Sequence, residues 1–299
     1  MTGTVYYTHC PACNHEDFLE IFTVQDYTVS KEKFLLVQCK NCTLRFTQHV
    51  PNQQSIGAYY KSENYVSHTD TAEGYINKLY HKVRRITLQS KSALIQKITG
   101  MKAGTLLDIG AGTGAFLHTM LHKGWQVNGL EPDADARQVA LKKYELKLLD
   151  TDHLDRLPPQ HFDAITLWHV VEHIHELNDY FERIYALLKP GGKLFIAVPN
   201  YTSYDATHYR QYWAAYDVPR HLYHFSPMAM DLFLQKHHLK IITQKPMWFD
   251  SFYISMISEK YHTGNDNLLK AFLIGLRSNM KVLFTTSSCS SVIYIAEKD

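Results

Sequence analysis

The glycine-rich stretch LLDIGAGTGAFL at residues 106–117 constrains the fold more than any other feature of this 299-residue chain. An apolar run that contains Asp108 precedes three glycines spaced two residues apart, and apolar residues then recur at helical spacing. A glycine turn between a buried strand and a helix lets the backbone approach a bound nucleotide closely. The stretch therefore predicts an open α/β sheet with a nucleotide site at the carboxyl ends of its strands.

Strand-like and helix-like segments alternate through the rest of the chain. Such alternation predicts parallel strands with helices on both faces, which is a doubly wound α/β sheet. The seven predicted strands lie near residues 105–109, 126–130, 146–149, 163–168, 193–198, 239–244 and 291–296. The predicted helices between them lie around residues 114–123, 135–144, 177–188 and 227–237.

The charges beside the glycine turn distinguish between two kinds of nucleotide. The string GAGTGA at 110–115 also fits the G-x-G-x-x-A pattern of dinucleotide-binding folds. Asp108, however, stands two residues before the first glycine, and Glu131 closes the second strand. A carboxylate in the crevice suits a ligand with an ammonium or sulfonium charge better than a diphosphate. The acid on the second strand suits ribose hydroxyls.

These motifs, with FDAITLWHVVEHI and LLKPGGKLFIAVPN, resemble class I S-adenosylmethionine-dependent methyltransferases over residues 104–299. The four segments occur in the family's order and spacing. The resemblance implies a Rossmann-like seven-stranded sheet with a closing antiparallel strand, and S-adenosylmethionine as cofactor. It also implies the residues that border the cofactor: Asp108, Gly110 and Gly112 beside its methionine part, Glu131 at the ribose, and Asp152, His153 and Leu154 near the adenine. We further expect Gly114 to bind the cofactor and Trp168 to form a wall of its pocket.

Four of the five cysteines form two C-x-x-C pairs, Cys10 with Cys13 and Cys39 with Cys42. Four thiolates on two tight turns can converge tetrahedrally on Zn²⁺, and in a reducing compartment such pairs bind metal more often than they form disulfides. We predict a zinc ribbon over residues 1–50, with disulfides as the alternative. The fifth cysteine is expected to be a structural thiol.

Residues 51–103 are predicted to be a linker followed by a helical segment. The stretch from 51 to 71 is polar, whereas apolar residues recur at helical spacing from 72 to 102. That helical stretch carries seven Lys or Arg and one Glu. A solvated outer face is the main interpretation, and an anionic substrate, a lipid surface or RNA are the alternatives.

The substrate is expected where segments leave the carboxyl ends of the fourth and fifth strands. Residues 199–226 hold eight aromatic residues and three histidines without a sustained period, which favours a lid over a small substrate. An ordinary packed crossover is the alternative. Methyl transfer to a hydroxyl or carbon acid needs a base, and histidine titrates near neutral pH. His221 is the first candidate, and His224 and His169 are weaker ones.

The segment RHLYHFS is similar to the lid of zinc-ribbon C-methyltransferases of deoxysugar pathways, in which a histidine at the position of His221 serves as base. Those enzymes have Glu where Arg220 stands, and they continue into a further C-terminal domain. An arginine there would suit an anionic substrate group. Ubiquinone-pathway O-methyltransferases share the VVEHI motif but not the ribbon.

We therefore expect methyl transfer to a small or carrier-linked molecule, by O- or C-methylation of a sugar, lipid or secondary metabolite. The alternatives are an rRNA or tRNA methyltransferase and a noncatalytic scaffold that binds S-adenosylmethionine. The net charge of +2 does not indicate a nucleic acid partner. No secretory leader and no apolar run of membrane-spanning length are apparent, so a cytoplasmic protein is expected. An insertion at 247–288 is expected chiefly to cover the core, with a second subunit (a homodimer) or a lipid-like substrate as alternatives.

Overall fold

The structure is a computed structural model that describes residues 3–60, 75–283, 285 and 288–298. Part of the predicted linker, residues 61–74, lies outside the described residues, as do three positions near the end of the predicted insertion.

The described residues form twelve strands and eight α-helices. The strands are β1 (Thr4–Val5), β2 (Phe18–Gln25), β3 (Lys33–Cys39), β4 (Arg45–Thr47), β5 (Val50–Pro51), β6 (Thr105–Ile109), β7 (Gln126–Leu130), β8 (Phe162–Trp168), β9 (Leu188–Pro199), β10 (Tyr223–His224), β11 (Leu239–Pro246) and β12 (Ser291–Lys298). The helices are α1 (Tyr75–Thr99), α2 (Ala115–Leu121), α3 (Ala134–Tyr144), α4 (Leu177–Leu187), α5 (Tyr204–Tyr209), α6 (Pro227–Lys236), α7 (Asp250–Thr263) and α8 (Leu268–Val282).

The central sheet has the order β11-β12-β9-β8-β6-β7. The strands β9, β8, β6 and β7 are parallel, and β12 runs antiparallel between β9 and β11. This arrangement confirms the predicted doubly wound sheet and its closing antiparallel strand. The carboxyl ends of the four parallel strands meet at one edge, where ligands bind in such folds.

The third predicted strand, at 146–149, is reduced to a single parallel bridge between Leu149 and Leu130. The Leu149 amide donates to the Gly129 carbonyl at 3.0 Å, and the Glu131 amide donates to the Leu149 carbonyl at 2.9 Å. The chain then enters a 3₁₀ turn at 151–156. The third predicted strand thus lies at the edge of the sheet beside β7, as a bridge that adds to the six strands of the central sheet.

Helices cover both faces of the sheet, as the alternation predicts. On α4 the buried apolar residues recur at three- and four-residue intervals: Leu177, Phe181, Ile184 and Leu187. They pack with α6 into one core, which continues into the cysteine-bearing turns. The opposite core contains α2 and Ile95 of α1.

A second sheet has the order β10-β4-β3-β2, and its edge strand comes from the predicted lid. Tyr223 pairs with Phe46 and His224 pairs with Arg45. The rest of the segment forms α5 and two 3₁₀ turns, at 210–212 and 214–216, and Trp213 is buried. The segment predicted to be a lid is therefore bound at its end to the cysteine-bearing sheet.

The insertion folds into α7 and α8, which pack against each other. Gly275 lies where an added Cβ would come within 2.9 Å of a Phe252 ring carbon, so the glycine permits the close approach of the two helices. None of the helices among the described residues combines the length and the apolarity needed to cross a membrane.

Candidate active site

The glycine turn joins β6 to α2 at the carboxyl edge of the central sheet. Gly110, Gly112 and Gly114 all have positive φ angles, of 71°, 52° and 78°. A Cβ at Gly110 would lie 2.4 Å from Val170 Cγ2, whereas a Cβ at Gly112 would meet no atom of the described residues within 4 Å. The turn thus needs glycine for its backbone, and open space remains beside Gly112 for a ligand.

Glu131, at the end of β7, holds the turn in place. One carboxylate oxygen accepts a hydrogen bond from the Gly112 amide at 2.7 Å, and the other accepts from the Asp133 amide at 3.0 Å. Burial raises the pKa of Glu131, and the two amide bonds oppose that rise. The carboxylate lies where the sequence places it, beside the turn, and each of its oxygens has a second lone pair for a hydroxyl donor.

Asp108, on β6, is buried beneath the turn. Its Oδ1 accepts a hydrogen bond from the Thr166 hydroxyl of β8 at 2.5 Å. Burial raises its pKa to about 7, with a further rise from Glu131, while Thr166 and the nearby Lys91 lower it. A bound cation would stabilise the ionised carboxylate, because it would offset the cost of burying that charge.

Lys91 was missed by the sequence analysis, which treated the basic face of α1 mainly as solvated. Its ammonium lies 4.2 Å from the centre of the Trp168 ring. Burial lowers the pKa of Lys91, while Asp250 and Asp108 raise it. Lys91 therefore faces the site, and Arg84 of the same helix donates to the Thr113 hydroxyl of the glycine turn at 3.4 Å. For Lys91, only its spacing relative to the buried Ile95 could have indicated this.

The residues predicted to border an adenine occupy the 3₁₀ turn after the bridge strand. Leu154 is buried in the core, and Asp152 and His153 lie in the same turn. The buried atoms His153 Nδ1 and Trp168 Nε1 have no hydrogen-bond partner among the described residues. Buried donors of this kind need a partner, and a ligand can supply it.

The chain leaving β8 forms an acidic clamp around His169, whose φ is 59°. His169 Nε2 lies 3.1 Å from Asp250 Oδ2, and its Nδ1 lies 3.4 Å from Glu172 Oε1. Burial lowers the pKa of His169, but the two carboxylates outweigh it and raise the pKa to about 9. The imidazole is therefore cationic at neutral pH. Asp250, from the insertion, is a further site residue that the sequence did not indicate.

The second histidine cluster consists of Glu172, His173 and His221. One nitrogen of each imidazole and one Glu172 oxygen lie within 4.8 Å of one another. The two rings are edge to face, with centroids 4.6 Å apart. Glu172 is 1% exposed, and its Oε1 is the oxygen that lies 3.4 Å from His169 Nδ1. Burial raises the pKa of Glu172, but the three surrounding histidines lower it below its usual value.

Hydrogen bonds to carbonyl oxygens fix the tautomers of this cluster. His221 Nδ1 lies 2.8 Å from the Ala215 carbonyl, and His173 Nδ1 lies 3.0 Å from the Arg220 carbonyl. A carbonyl only accepts, so each Nδ1 carries hydrogen and each Nε2 of the neutral ring keeps its lone pair. Burial and His221 lower the pKa of His173 to about 4. The Tyr60 hydroxyl, 2.9 Å from His173 Nδ1, completes the cluster.

His224 does not join this cluster. It lies on β10 within the second sheet, 3% exposed, with Nε2 3.2 Å from the Thr47 hydroxyl and its ring packed edge to face on Tyr216. Burial lowers its pKa well below the usual value. The structure therefore places His224 among packing residues, while His221 and His169 lie on the carboxyl edge of the central sheet.

Arg220 was expected to suit an anionic substrate group, but in the structure it pairs with carboxylates of the protein itself. Its guanidinium is buried and lies 3.0 Å from an Asp26 oxygen and 2.7 Å from an Asp217 oxygen. It also donates to the Tyr59 carbonyl at 2.9 Å. The hydrogen bond from Arg220 and those from Ser30 and Thr28 lower the pKa of Asp26, although burial opposes them. Arg220 therefore ties the loop after β2 to the segment that carries His221.

The four cysteines converge at one point, as the spacing predicts. The Sγ atoms of Cys10 and Cys42 are 3.5 Å apart, those of Cys13 and Cys39 are 3.6 Å apart, and all four lie within 4.8 Å of one another. Tetrahedral Zn–S bonds of about 2.3 Å place sulfur atoms about 3.8 Å apart, so the cluster fits zinc. No disulfide joins these residues.

A family described as "Methyltransferase domain" matches residues 79–244, which is more than half of the chain. The chain belongs to this methyltransferase family. The matched region contains the glycine turn, Glu131, the histidines of both clusters with Glu172, and most of the central sheet. The part of the chain that matches the family is thus the part that forms most of the candidate site.

Curated relatives of this methyltransferase include the mitochondrial ubiquinone biosynthesis O-methyltransferase of Mus musculus. That protein is 30% identical over 115 residues, covering 35% of this chain and 30% of the relative. The ubiquinone biosynthesis O-methyltransferase of Yersinia pestis is 29% identical over 130 residues, covering 41% of this chain and 52% of the relative. The chain thus spans about half or less of the length of these relatives.

Solved structures show the same fold. The geranyl diphosphate C-methyltransferase of Streptomyces coelicolor A3(2) is 16% identical with a TM-score of 0.53, over 77% of this chain and 87% of that one. A SAM-dependent methyltransferase of Archaeoglobus fulgidus is 20% identical with a TM-score of 0.50, over 75% of this chain and 100% of that one. The 1,6-didemethyltoxoflavin-N1-methyltransferase of Burkholderia thailandensis is 15% identical with a TM-score of 0.50, over 92% of this chain and 99% of that one.

Proposed function

We propose that this chain transfers a methyl group from S-adenosylmethionine to a small or carrier-linked molecule, by O- or C-methylation of a sugar, lipid or secondary metabolite. The single observation that carries the proposal is the pair of carboxylates that flank the glycine turn, Asp108 and Glu131, at one edge of the sheet with His221. The methyltransferases of similar fold are named for small organic acceptors, geranyl diphosphate and 1,6-didemethyltoxoflavin, which agrees with this class of substrate.

The glycine turn and its acids would hold the cofactor, which supplies a methyl group activated by a sulfonium charge. Glu131 would accept hydrogen bonds from the ribose hydroxyls through the lone pairs that the Gly112 and Asp133 amides leave open. Asp108 would face the charged methionine part. The unpartnered His153 Nδ1 and Trp168 Nε1 would lie along the rest of the pocket. These residues bind and orient, which is the main contribution a protein makes to an in-line displacement.

His221 is the proposed base for the acceptor. Its Nδ1–H donates to the Ala215 carbonyl, so that Nε2 is the free proton acceptor. Glu172 is ionised and buried within 4.8 Å, and it would stabilise the imidazolium once the proton has moved. His173 stays neutral because its pKa is about 4, so it does not repel that imidazolium.

Zinc at the four cysteines would act on the site indirectly. The turn that carries Cys39 and Cys42 leads into β4, and β4 pairs with β10. The Thr47 hydroxyl at the end of β4 donates to the His221 carbonyl at 2.9 Å, and the Thr47 amide donates to the Leu222 carbonyl at 2.9 Å. A zinc-stabilised sheet would therefore fix the backbone of the proposed base.

Replacement of the base tests this proposal. His221→Ala is expected to lower methyl transfer by about 10²–10⁴-fold, since it removes proton transfer, and to leave cofactor affinity within a few-fold. Transfer of labelled methyl from the cofactor into fractionated cell extract measures the first effect, and calorimetry measures the second. The matched control is His208→Ala, an exposed histidine on α5 of the same segment. Full activity of the His221→Ala variant would reject the role.

A further inference from the structure

The hairpin of α7 and α8 exposes an unusually apolar surface. Six large apolar side chains of α8 are between 39% and 72% exposed: Leu268, Leu269, Phe272, Leu273, Leu276 and Met280. Monomeric soluble proteins seldom leave such a continuous apolar patch to water, and patches of this kind mark interaction surfaces. The insertion therefore does more than cover the core.

The exposed residues form one stripe along α8. At about 100° per residue, they span an arc of roughly 140° on the helical wheel. The residues of the same helix that are buried against the protein lie on the adjoining side, centred roughly 115° from the centre of the stripe: Ala271, Gly275, Ser278, Asn279 and Val282. The helix thus has one face toward the protein and one apolar face toward the outside.

Three basic residues follow one edge of the apolar stripe. Lys270, Arg277 and Lys281 fall within an arc of roughly 40° next to the stripe. The helix carries no Asp or Glu. Lys270 pairs with Glu259 of α7 at 2.9 Å, while the Arg277 and Lys281 cations lie 4.8 and 4.9 Å from the Tyr204 ring. The edge of the apolar surface is therefore positively charged.

The apolar surface continues onto α7. Phe272 of α8 stacks on Phe252 of α7 with ring centroids 5.2 Å apart, and Met256 lies one turn further along α7 with 38% exposure. Trp248 and Phe249, immediately before α7, are also exposed. Aromatic residues beside an apolar stripe are typical of segments that lie at the boundary between lipid headgroups and acyl chains.

We infer that the hairpin of α7 and α8 docks the protein on the surface of a membrane that contains anionic lipids. The apolar stripe would enter the headgroup boundary, while Arg277 and Lys281 would meet lipid phosphates. A second copy of the chain would bury the same stripe but would bring only further basic residues of α8 to the basic edge. The charge of the edge therefore favours the lipid surface. This inference does not depend on the proposed methyl transfer.

Vesicle flotation with the zinc-loaded full chain tests the inference. The protein is expected to bind vesicles of equal parts phosphatidylcholine and phosphatidylglycerol about tenfold or more tightly than vesicles of phosphatidylcholine alone. Added salt should reduce this preference, because it screens the basic edge. Arg277→Gln with Lys281→Gln should remove most of this preference, by weakening binding to the mixed vesicles about tenfold.

The apolar contribution is tested with two matched pairs of substitutions. Leu269→Glu with Leu273→Glu places charges one turn apart on the stripe and is expected to weaken vesicle binding at least tenfold. The control pair, Met228→Glu with Leu232→Glu, has the same spacing on exposed positions of α6 and should bind like the unaltered protein. Thermal unfolding of both variants checks that the fold is retained.

Two outcomes would overturn the inference. One is the absence of vesicle binding, or an equal loss in both pairs of variants. The other is a dimer, seen by sedimentation equilibrium, that Leu269→Glu with Leu273→Glu dissociates while no variant binds vesicles. In that case the occupant of the surface is a second copy of the chain.

Discussion

The glycine turn and the second histidine cluster lie on the same edge of the central sheet but are built in different ways. The turn with Asp108 and Glu131 comes from one strand–helix–strand unit, and backbone amides of that unit hold the Glu131 carboxylate. The histidine cluster gathers Tyr60, Glu172 and His221 from distant parts of the chain. The proposed cofactor site is therefore a local feature of the central sheet, whereas the proposed base depends on the cysteine-bearing sheet.

Because of this difference, the glycine turn and His221 are held in place by different parts of the fold. The turn is supported by the core of α2 and the central sheet. The backbone of His221 is supported by Thr47 at the end of β4, and the preceding Arg220 is supported by Asp26 after β2. Damage to the second sheet should thus impair catalysis while leaving cofactor binding.

The largest expected effect comes from loss of the metal. Cys39→Ser should abolish zinc binding, because it removes one of the four thiolate ligands. The effect on folding should be large, because zinc binding at structural sites contributes about 10–16 kcal/mol to folding. We expect loss of bound zinc by elemental analysis, an early unfolding transition of the second sheet, and cofactor affinity within a few-fold. Cys289→Ser is the control, because this buried thiol lies outside the cluster and should leave the zinc in place. Equal loss of cofactor binding in Cys39→Ser would show that the two regions are not separate.

A smaller effect is expected at the buried arginine. Arg220→Met leaves Asp26 buried without its main cationic partner, so the free energy of unfolding should fall by about 3–5 kcal/mol. Urea unfolding measures the change, and Arg210→Met at an exposed position serves as control. If Arg220 instead contacts an anionic substrate, the variant should keep its stability and lose substrate affinity.

A still smaller effect is expected at the His169 clamp. Asp250→Asn removes one of the two carboxylates that raise the pKa of His169 to about 9, so the pKa should fall by about one to two units. A raised folded pKa stabilises the protein fully below the unfolded value of about 6.5, and this contribution is lost as pH rises through 9. NMR titration of the imidazole and unfolding between these pH values should both show the change. Asp266→Asn, in an exposed ion pair with Lys260, should leave the titration unaltered.

The same comparison explains what the sequence could predict. The alternating pattern, the turn motif and the cysteine spacing are local, so the central sheet and the convergence of the cysteines were predictable. The closing antiparallel strand was expected from the family resemblance. The strand predicted at 146–149 forms only a single bridge to β7, at the edge of the sheet. Periodicity indicated a buried side of α1 but not that Lys91 would face Asp108.

Long-range contacts could not be predicted in the same way. Arg220 carries no local sign that Asp26, 194 residues away, would neutralise it. The clamp on His169 requires Asp250 to reach the edge of β8 from the insertion. The pairing of β10 with β4 joins Tyr223 to Phe46, which are far apart along the chain. Each of these contacts depends on tertiary packing, which spacing along the chain does not encode.

The most direct test of the central claim is calorimetric titration of the chain with S-adenosylmethionine and with NAD. The acidic glycine turn predicts binding of S-adenosylmethionine and no binding of NAD. Asp108→Asn and Glu131→Gln should each weaken S-adenosylmethionine binding about tenfold or more, because each removes a charged hydrogen-bond partner. Binding of NAD with exclusion of S-adenosylmethionine would contradict the account.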